Sequence, residues 1–240
     1  MEREIFVIGD IHGDYNIIDA RFGDVVGGSD KSNVLFVAGD AGFVNSYENE
    51  ESKAKRIEKL NSLPFTIIVV LGNHENYDVI ESFPEVTIFN GKCYKEDGVD
   101  VYYAKNGQIF DIDGTKFFTF NGGLSVDKEQ RLEYERKYGI KFWWPQEIKC
   151  EDFNEAYSLY LSKHVDYVIT HDIPKSIYAK LTPFIPARFK DQSCPLNDFL
   201  QRIYSIKKHI HWYAGHYHPS YKVTIENLTI LPIGHIEKIK

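Results

Sequence analysis

Five short apolar runs in this chain each end on residues that can hold a metal ion, and that recurrence limits what the chain can fold into. Ile5-Phe6-Val7-Ile8 runs into Gly9-Asp10-Ile11-His12-Gly13, and Val34-Leu35-Phe36-Val37-Ala38 into Gly39-Asp40. Thr66-Ile67-Ile68-Val69-Val70-Leu71 runs into Gly72-Asn73-His74-Glu75. Tyr167-Val168-Ile169 is followed by Thr170-His171-Asp172, and His211-Trp212-Tyr213-Ala214 by Gly215-His216-Tyr217-His218. Each run has the length and composition of a buried strand. Ligands in α/β folds gather at the carboxyl ends of strands. One fold that collects all five ends brings Asp10, His12, Asp40, Asn73, His171, His216 and His218 into one place.

Imidazole nitrogen mixed with carboxylate and amide oxygen suits Mn, Fe, Co, Ni or Zn, whereas an all-oxygen set would suit Mg or Ca. Seven candidate ligands exceed the three or four protein ligands that one zinc takes. They divide between two ions with one carboxylate shared. Two such ions clamp the oxygens of an in-line displacement at phosphorus and lower the pKa of a water between them.

The ordered blocks GDIHG, GD, GNHE, THD and GHYH resemble the calcineurin-like metallophosphoesterase superfamily, and the resemblance spans Gly9 to His218. It implies an α/β fold in which two mixed β-sheets pack face to face with helices outside. It implies two divalent transition-metal ions, manganese foremost. It assigns Asp10, His12 and His218 to the first ion, Asn73, His171 and His216 to the second, and Asp40 to the bridge. It makes His74 the general acid, with Asn73 and His74 facing the substrate. The implied reaction is hydrolysis of a phosphomonoester or phosphodiester by water activated between the metals. Two alternatives stand beside it: a non-catalytic metal-binding scaffold of the same fold, and a Ser/Thr protein-phosphatase-like enzyme. A scaffold that had lost catalysis should have lost ligands, and all seven are present. The protein phosphatases that the first blocks resemble carry an Asp-Arg-Gly after the bridging Asp. Here the tract is Ala41-Gly42-Phe43-Val44-Asn45, so the Asp that would orient His74 and the Arg that would clamp phosphate must come from elsewhere.

Composition agrees with a soluble α/β protein. At 240 residues, 43% hydrophobic and 26% charged, residues 1–240 read as one domain. The net charge of −7 and the lack of a long basic run argue against duplex nucleic acid as a partner. Cys93, Cys150 and Cys194 show no C-x-x-C spacing, so no disulfide framework is expected. The apolar run at residues 5–8 is too short for a signal-peptide core, and no stretch reaches the ~18 residues of a membrane helix. A cytoplasmic protein without a membrane partner is the expectation; oligomeric state stays open.

Glu50–Ser62 reads as a charged helix with Ala54, Ile57 and Leu60 on one face, closed by Pro64. Asn90-Gly91, Asp97-Gly98, Asn106-Gly107 and Asp113-Gly114 separate short runs at residues 86–89, 99–104, 108–111 and 116–120. Such pairs signal hairpins, so these runs predict an antiparallel meander forming the second sheet. Two later helices follow a 3.6-residue period. One carries Phe153, Ala156, Tyr157, Tyr160, Leu161 and His164; the other carries Leu196, Phe199, Leu200, Ile203 and Tyr204, with Pro195 at its first turn and Ser193 or Cys194 near its cap. Residues 121–147 lie outside the shared blocks. Their Ser125-Val126-Asp127-Lys128, Arg131 and Trp143-Trp144-Pro145-Gln146-Glu147 resemble a group of bacterial and phage metallophosphoesterases. The segment is expected to wall the metals, with Arg131 gripping phosphate and the tryptophans packing the wall.

Overall fold

Strands whose residues are apolar at every position need cover on both faces, and the first three strands show how the chain supplies it. The structure is a computed structural model that describes residues 3–18, 32–45, 48–189, 194–206 and 210–240. In β1 (Ile5–Ile8), β2 (Asn33–Ala38) and β3 (Phe65–Val70) side chains alternate between two cores. Ile5, Val7, Val34, Phe36, Ile68 and Val70 face inward onto a second sheet. Phe6, Ile8, Leu35, Val37, Ile67 and Val69 face outward, where Leu60 of helix α1 (Glu50–Ser62) packs. β1, β2 and β3 pair in parallel.

The chain then adds β4 (Glu85–Ile88), β5 (Gly91–Lys95) and β6 (Val101–Ala104), after the short helix α2 (Tyr77–Ile80). β7 (Gln108–Ile112), β8 (Thr115–Phe120), β9 (Tyr167–Thr170), β10 (His211–Ala214), β11 (Val223–Ile225), β12 (Leu228–Ile230) and β13 (Ile236–Lys238) complete the strands. The first sheet runs β13-β1-β2-β3-β6-β5-β4 and the second β11-β12-β10-β9-β8-β7. Helices α4 (Phe153–Ser162), α5 (Lys175–Leu181) and α6 (Pro195–Ile206) cover the outer face of the second sheet. Two mixed sheets packed face to face with helices outside is the architecture expected.

Four local readings need correction. The meander does not form the second sheet. β5 pairs antiparallel with both β4 and β6, but β6 joins β3 in the first sheet, and only the β7–β8 hairpin belongs to the second. Asn106-Gly107 is the crossing between sheets: the Asn106 amide donates to Asp152 at 2.7 Å and its oxygen accepts the Asn121 N–H at 3.1 Å. The first hairpin turns on Phe89-Asn90, both at positive φ, with Gly91 already in β5. Asp113-Gly114 turns as expected, also at positive φ.

Helix α1 has the expected bounds, and Ile57 and Leu60 pack on the core as expected, but Ala54 is exposed and Arg56 is buried beside Leu60. The guanidinium is fully paired, donating to Glu48 at 2.8 Å and to Glu96 at 2.7 Å, which is what lets a charge sit there. In α4, Ala156 and Tyr160 are buried, whereas Leu161 is exposed and His164 lies past the helix end in solvent. All five stripe residues of α6 are buried as predicted, with Pro195 opening the helix; Ser193 lies outside the described residues. Cys93, Cys150 and Cys194 are free thiols, and no described helix is long and apolar enough to cross a membrane.

Candidate metal centre

The carboxyl ends of β1, β2 and β3 from one sheet and of β9 and β10 from the other meet at one end of the sandwich. The loops leaving them are stitched together. Ile11 and His12 N–H donate to the Asp40 carbonyl at 3.0 and 2.8 Å. His216 N–H donates to Asp10 Oδ1, and His74 N–H to Asp40 Oδ1, both at 2.9 Å.

The seven candidate ligands converge as two groups around Asp40. Asp10 Oδ2 lies 2.7 Å from His218 Nε2 and 3.7 Å from His12 Nε2, and those two ring nitrogens are 3.3 Å apart. Asp40 Oδ2 is 4.0 Å from His12 Nε2, and ligand atoms of these four residues all fall within 4.8 Å of one another. On the other side, Asp40 Oδ1 is 3.4 Å from His171 Nε2. That nitrogen lies 3.0 Å from Asn73 Oδ1 and 3.2 Å from His216 Nδ1. Asp40 thus turns one oxygen to each group.

The backbone is strained where these side chains leave it. Among the described residues, eight non-glycines have positive φ. Phe89, Asn90, Asp113 and Glu226 are at strand turns; the other four are His12, Asp40, His216 and His218, four of the seven candidate ligands. Each such residue costs ~1–3 kcal/mol, which persists only where the surroundings demand the conformation. Two glycines make the approach possible. Gly39 has φ +92°, and a Cβ there would stand 2.0 Å from His171 Nδ1. A Cβ on Gly72 would stand 2.2 Å from Asp40 Oδ1.

Residues 121–147 brace the Asn73–His74 turn. The segment contains helix α3 (Lys128–Tyr138). Asn121 Oδ1 accepts the Leu71 N–H at 2.9 Å. Ser125 Oγ accepts the Asn73 amide at 3.1 Å, which turns Asn73 Oδ1 toward His171, and donates to Glu147 Oε2 at 2.5 Å. Arg131 is buried; its Nη1 donates to the Asn73 carbonyl at 2.9 Å and to Ser125 Oγ at 2.8 Å, and its Nε to the Phe142 carbonyl at 2.7 Å. Trp144 is buried in the outer core of the first sheet, and Trp143 carries Lys128 Nζ 3.9 Å above its ring. Hydrogen-bonded supports of this kind fix how a ligand side chain points.

Electrostatics follow from the crowding of charge. Burial alone would raise Asp40, but His171, His74 and His12 outweigh it and hold the carboxyl well below its usual range. Burial alone would lower His171, but Asp40 and Asp10 hold it up at about 10, and its Nδ1 faces the Ala38 carbonyl at 2.9 Å. His216 is pushed well down by burial and by His171. His74 is lowered, first by burial, against the pull of Asp40 and Asp127.

Three contributors were not assigned a role from sequence. Glu75 is buried and ties two loops, accepting Ala41 N–H at 2.7 Å and Gly72 N–H at 3.3 Å; burial and Asp40 push it up to about 8. Its signal was the last letter of the GNHE block. Asp127 Oδ2 sits 3.8 Å from His74 Nε2; its sequence mark is only its place in Ser125-Val126-Asp127-Lys128. Arg188 follows no motif; its Nη2 is 3.2 Å from His218 Nδ1. Asp127 and Arg188 line the cavity of about 310 Å³ over the candidate ligands, together with His74 and Phe189.

Comparison with known proteins bears on this geometry. Among curated protein sequences, none matches the chain significantly. Solved structures similar to it include phosphopantetheinyl hydrolase from Mycobacterium tuberculosis, at 12% identity and TM-score 0.44 over 96% of this chain and 88% of that one. Another is a protein serine/threonine phosphatase from Saccharomyces cerevisiae, at 14% identity and TM-score 0.41 over 96% of this chain and 67% of that one. The family model for calcineurin-like phosphoesterase matches residues 4–220, from before β1 to just past His218, and the chain belongs to that family.

Proposed function

We propose that this chain is a dinuclear metal-dependent phosphoesterase that hydrolyses a phosphomonoester or phosphodiester, with His74 as general acid. The observation that carries the reading is Asp40, one oxygen turned to Asp10, His12 and His218 and the other to Asn73, His171 and His216. The donor set fits cations. Ligands about 2.0–2.2 Å from one ion lie roughly 3–3.5 Å from each other; neighbouring ligand atoms here are 2.7 to 4.0 Å apart, and those of the first group all lie within 4.8 Å of one another. Nitrogen mixed with oxygen favours Mn, Fe, Co, Ni or Zn, with manganese our first choice. When bound, two such ions supply Lewis acidity and make a water nucleophilic near neutral pH.

The chain's own residues do the rest. Ser125 and Arg131 hold Asn73 with its oxygen inward, and Ala38 holds His171 with Nε2 inward. The His74 imidazole reaches the cavity while its Nε2 faces Asp127, which stands in for the missing aspartate after Asp40. Arg188 brings a guanidinium to the cavity beside His218, where phosphoryl oxygens need positive charge. The Phe189 ring, 5.3 Å from His216 and 5.7 Å from His218, keeps water from one side of the ligands. The test is a panel of nitrophenyl mono- and diesters with Mn, Ni and Zn. Metal-dependent turnover of one class, abolished by chelator, is expected; no turnover with any metal contradicts the reading.

Two results bear on parts of this site. His171 is protonated at neutral pH without metal, because its raised value of about 10 keeps the proton until the solution is strongly alkaline. A cation must displace that proton. Metal uptake near pH 7.5 is therefore expected to release at least one proton per chain and to tighten as pH rises. Calorimetry in buffers of different ionisation enthalpy reads the proton count; zero release would show that His171 carries no extra proton in the metal-free chain. Arg131→Ala is expected to lower kcat/KM by the ~1.5–3 kcal/mol of hydrogen bonds from a charged group. The metals tell grip from brace. Unchanged metal affinity with Arg131→Lys partly restoring rate means a phosphate grip, whereas weakened affinity means that Arg131 acts through Asn73.

A further inference from the structure

His216 and His218 stand on either side of Tyr217, and the chain bends sharply to aim both into the cavity over the candidate ligands. Tyr217 N–H donates to the Gly215 carbonyl at 2.9 Å, so the turn closes over three residues with His216 at its centre. His216 has φ +70° there, the sign of the rare and strained γ-turn, and His218 has φ +45°. Tyr217 faces the other way. It is 3% exposed, in the outer core of the second sheet, with its ring centroid 5.5 Å from that of Phe189 and 5.8 Å from that of Tyr178. Its hydroxyl donates to Asp172 Oδ1 at 2.5 Å. Asp172 directly follows His171, so this bond ties the loop after β9 to the loop after β10, beside His171, His216 and His218. The acceptor is itself fixed. Asp172 Oδ1 also accepts the Ile173 N–H and the Asn197 amide, both at 2.8 Å, and the same amide, from helix α6, donates to the Ile173 carbonyl at 2.9 Å. On the other side of His171, Thr170 Oγ1 donates to the Asp172 carbonyl at 2.6 Å and accepts Trp212 Nε1 of β10 at 2.8 Å.

Stability alone does not ask for a buried tyrosine and aspartate here: two apolar groups of the same shape can fill a core about as well. What a satisfied buried polar network adds is rigidity and a single geometry. We propose that Tyr217 is a positioning residue of the metal centre: its hydroxyl, pinned by Asp172 and Asn197, holds the strained turn at residues 215–218 in the form that presents His216 and His218 together. The inference rests on the metal-centre reading above. Without the bond the turn relaxes toward ordinary backbone angles. That one change moves a ligand in each group, because His216 belongs with Asn73 and His171, and His218 with Asp10 and His12.

The test titrates manganese into the metal-free full chain by calorimetry and takes the Tm of each metal-free protein. Wild type is compared with Tyr217→Phe, which keeps the ring and loses the hydroxyl, and with Tyr204→Phe. Tyr204 is another buried tyrosine of the same core, its hydroxyl 2.7 Å from Glu226 Oε2 and 2.8 Å from Asn227 Oδ1, away from the candidate ligands. Groups that orient metal ligands change affinity ~10–100-fold. Tyr217→Phe is therefore expected to weaken manganese binding about 10- to 100-fold at both ions, with a Tm no lower than that of Tyr204→Phe, which keeps wild-type affinity. Asn197→Ala acts through Asp172 from α6 and should show the same loss at smaller size; combined with Tyr217→Phe, the loss should fall short of the product of the two. Wild-type affinity in Tyr217→Phe, or in Asn197→Ala should Tyr217→Phe not fold, overturns the positioning role and leaves the metal centre standing. Equal weakening in Tyr217→Phe and Tyr204→Phe overturns it as well, because the loss then comes from general stability. No manganese uptake by the wild type overturns the metal centre, and the positioning role with it.

Discussion

Asp40→Asn is expected to strip both halves of the metal centre and abolish turnover. The carboxylate turns Oδ1 to the His171 side and Oδ2 to the His12 side, 3.4 and 4.0 Å from the respective nitrogens. An amide has one acceptor oxygen and no charge, so it serves at most one of the two groups. The loss of metal affinity should exceed the ~10–100-fold typical of residues that only orient ligands. The substitution also takes away the charge that holds His171 protonated, so proton release on metal uptake should shrink. Metal analysis after dialysis reads the first effect directly. Two ions retained with normal turnover would show that Asp40 does not join the groups.

His74→Gln should leave the metals in place and slow the chemical step. General acid catalysis contributes ~10²–10⁴-fold, and most of it is needed when the departing oxygen is a poor leaving group. The loss should therefore be large for alkyl esters and small for nitrophenyl esters. Asp127→Asn should show the same leaving-group signature at smaller size, because Asp127 lies 3.8 Å from His74 Nε2 and acts through it. An equal loss on both ester classes would remove His74 from the acid role and leave it as a phosphate contact.

The sites of these substitutions were largely readable because local signals sufficed. A continuous apolar run broken by Gly-Asp, Gly-Asn-His, Thr-His-Asp or Gly-His states both a buried strand and what lies at its end. Five of the nine histidines fall in such blocks, and the structure brings all five to one end of the sandwich. The division of strands between sheets was not readable. Asn106-Gly107 looks like the Asp113-Gly114 hairpin, yet Asn106 bonds to Asn121 and Asp152, partners 15 and 46 positions away, and the chain crosses to the other sheet. Arg56 is buried only because Glu48 and Glu96 meet it there, and no helical period predicts that. Arg188 is at the site because its short turn packs Phe189 on the candidate-ligand histidines His216 and His218, a long-range fact with no local mark.

The measurement that tests the account most directly is anomalous diffraction from crystals grown with manganese. Two peaks are expected, one among Asp10, His12, Asp40 and His218 and one among Asp40, Asn73, His171 and His216, with Asp40 contacting both. A single peak, or two that do not share Asp40, would contradict a dinuclear centre built by these seven residues.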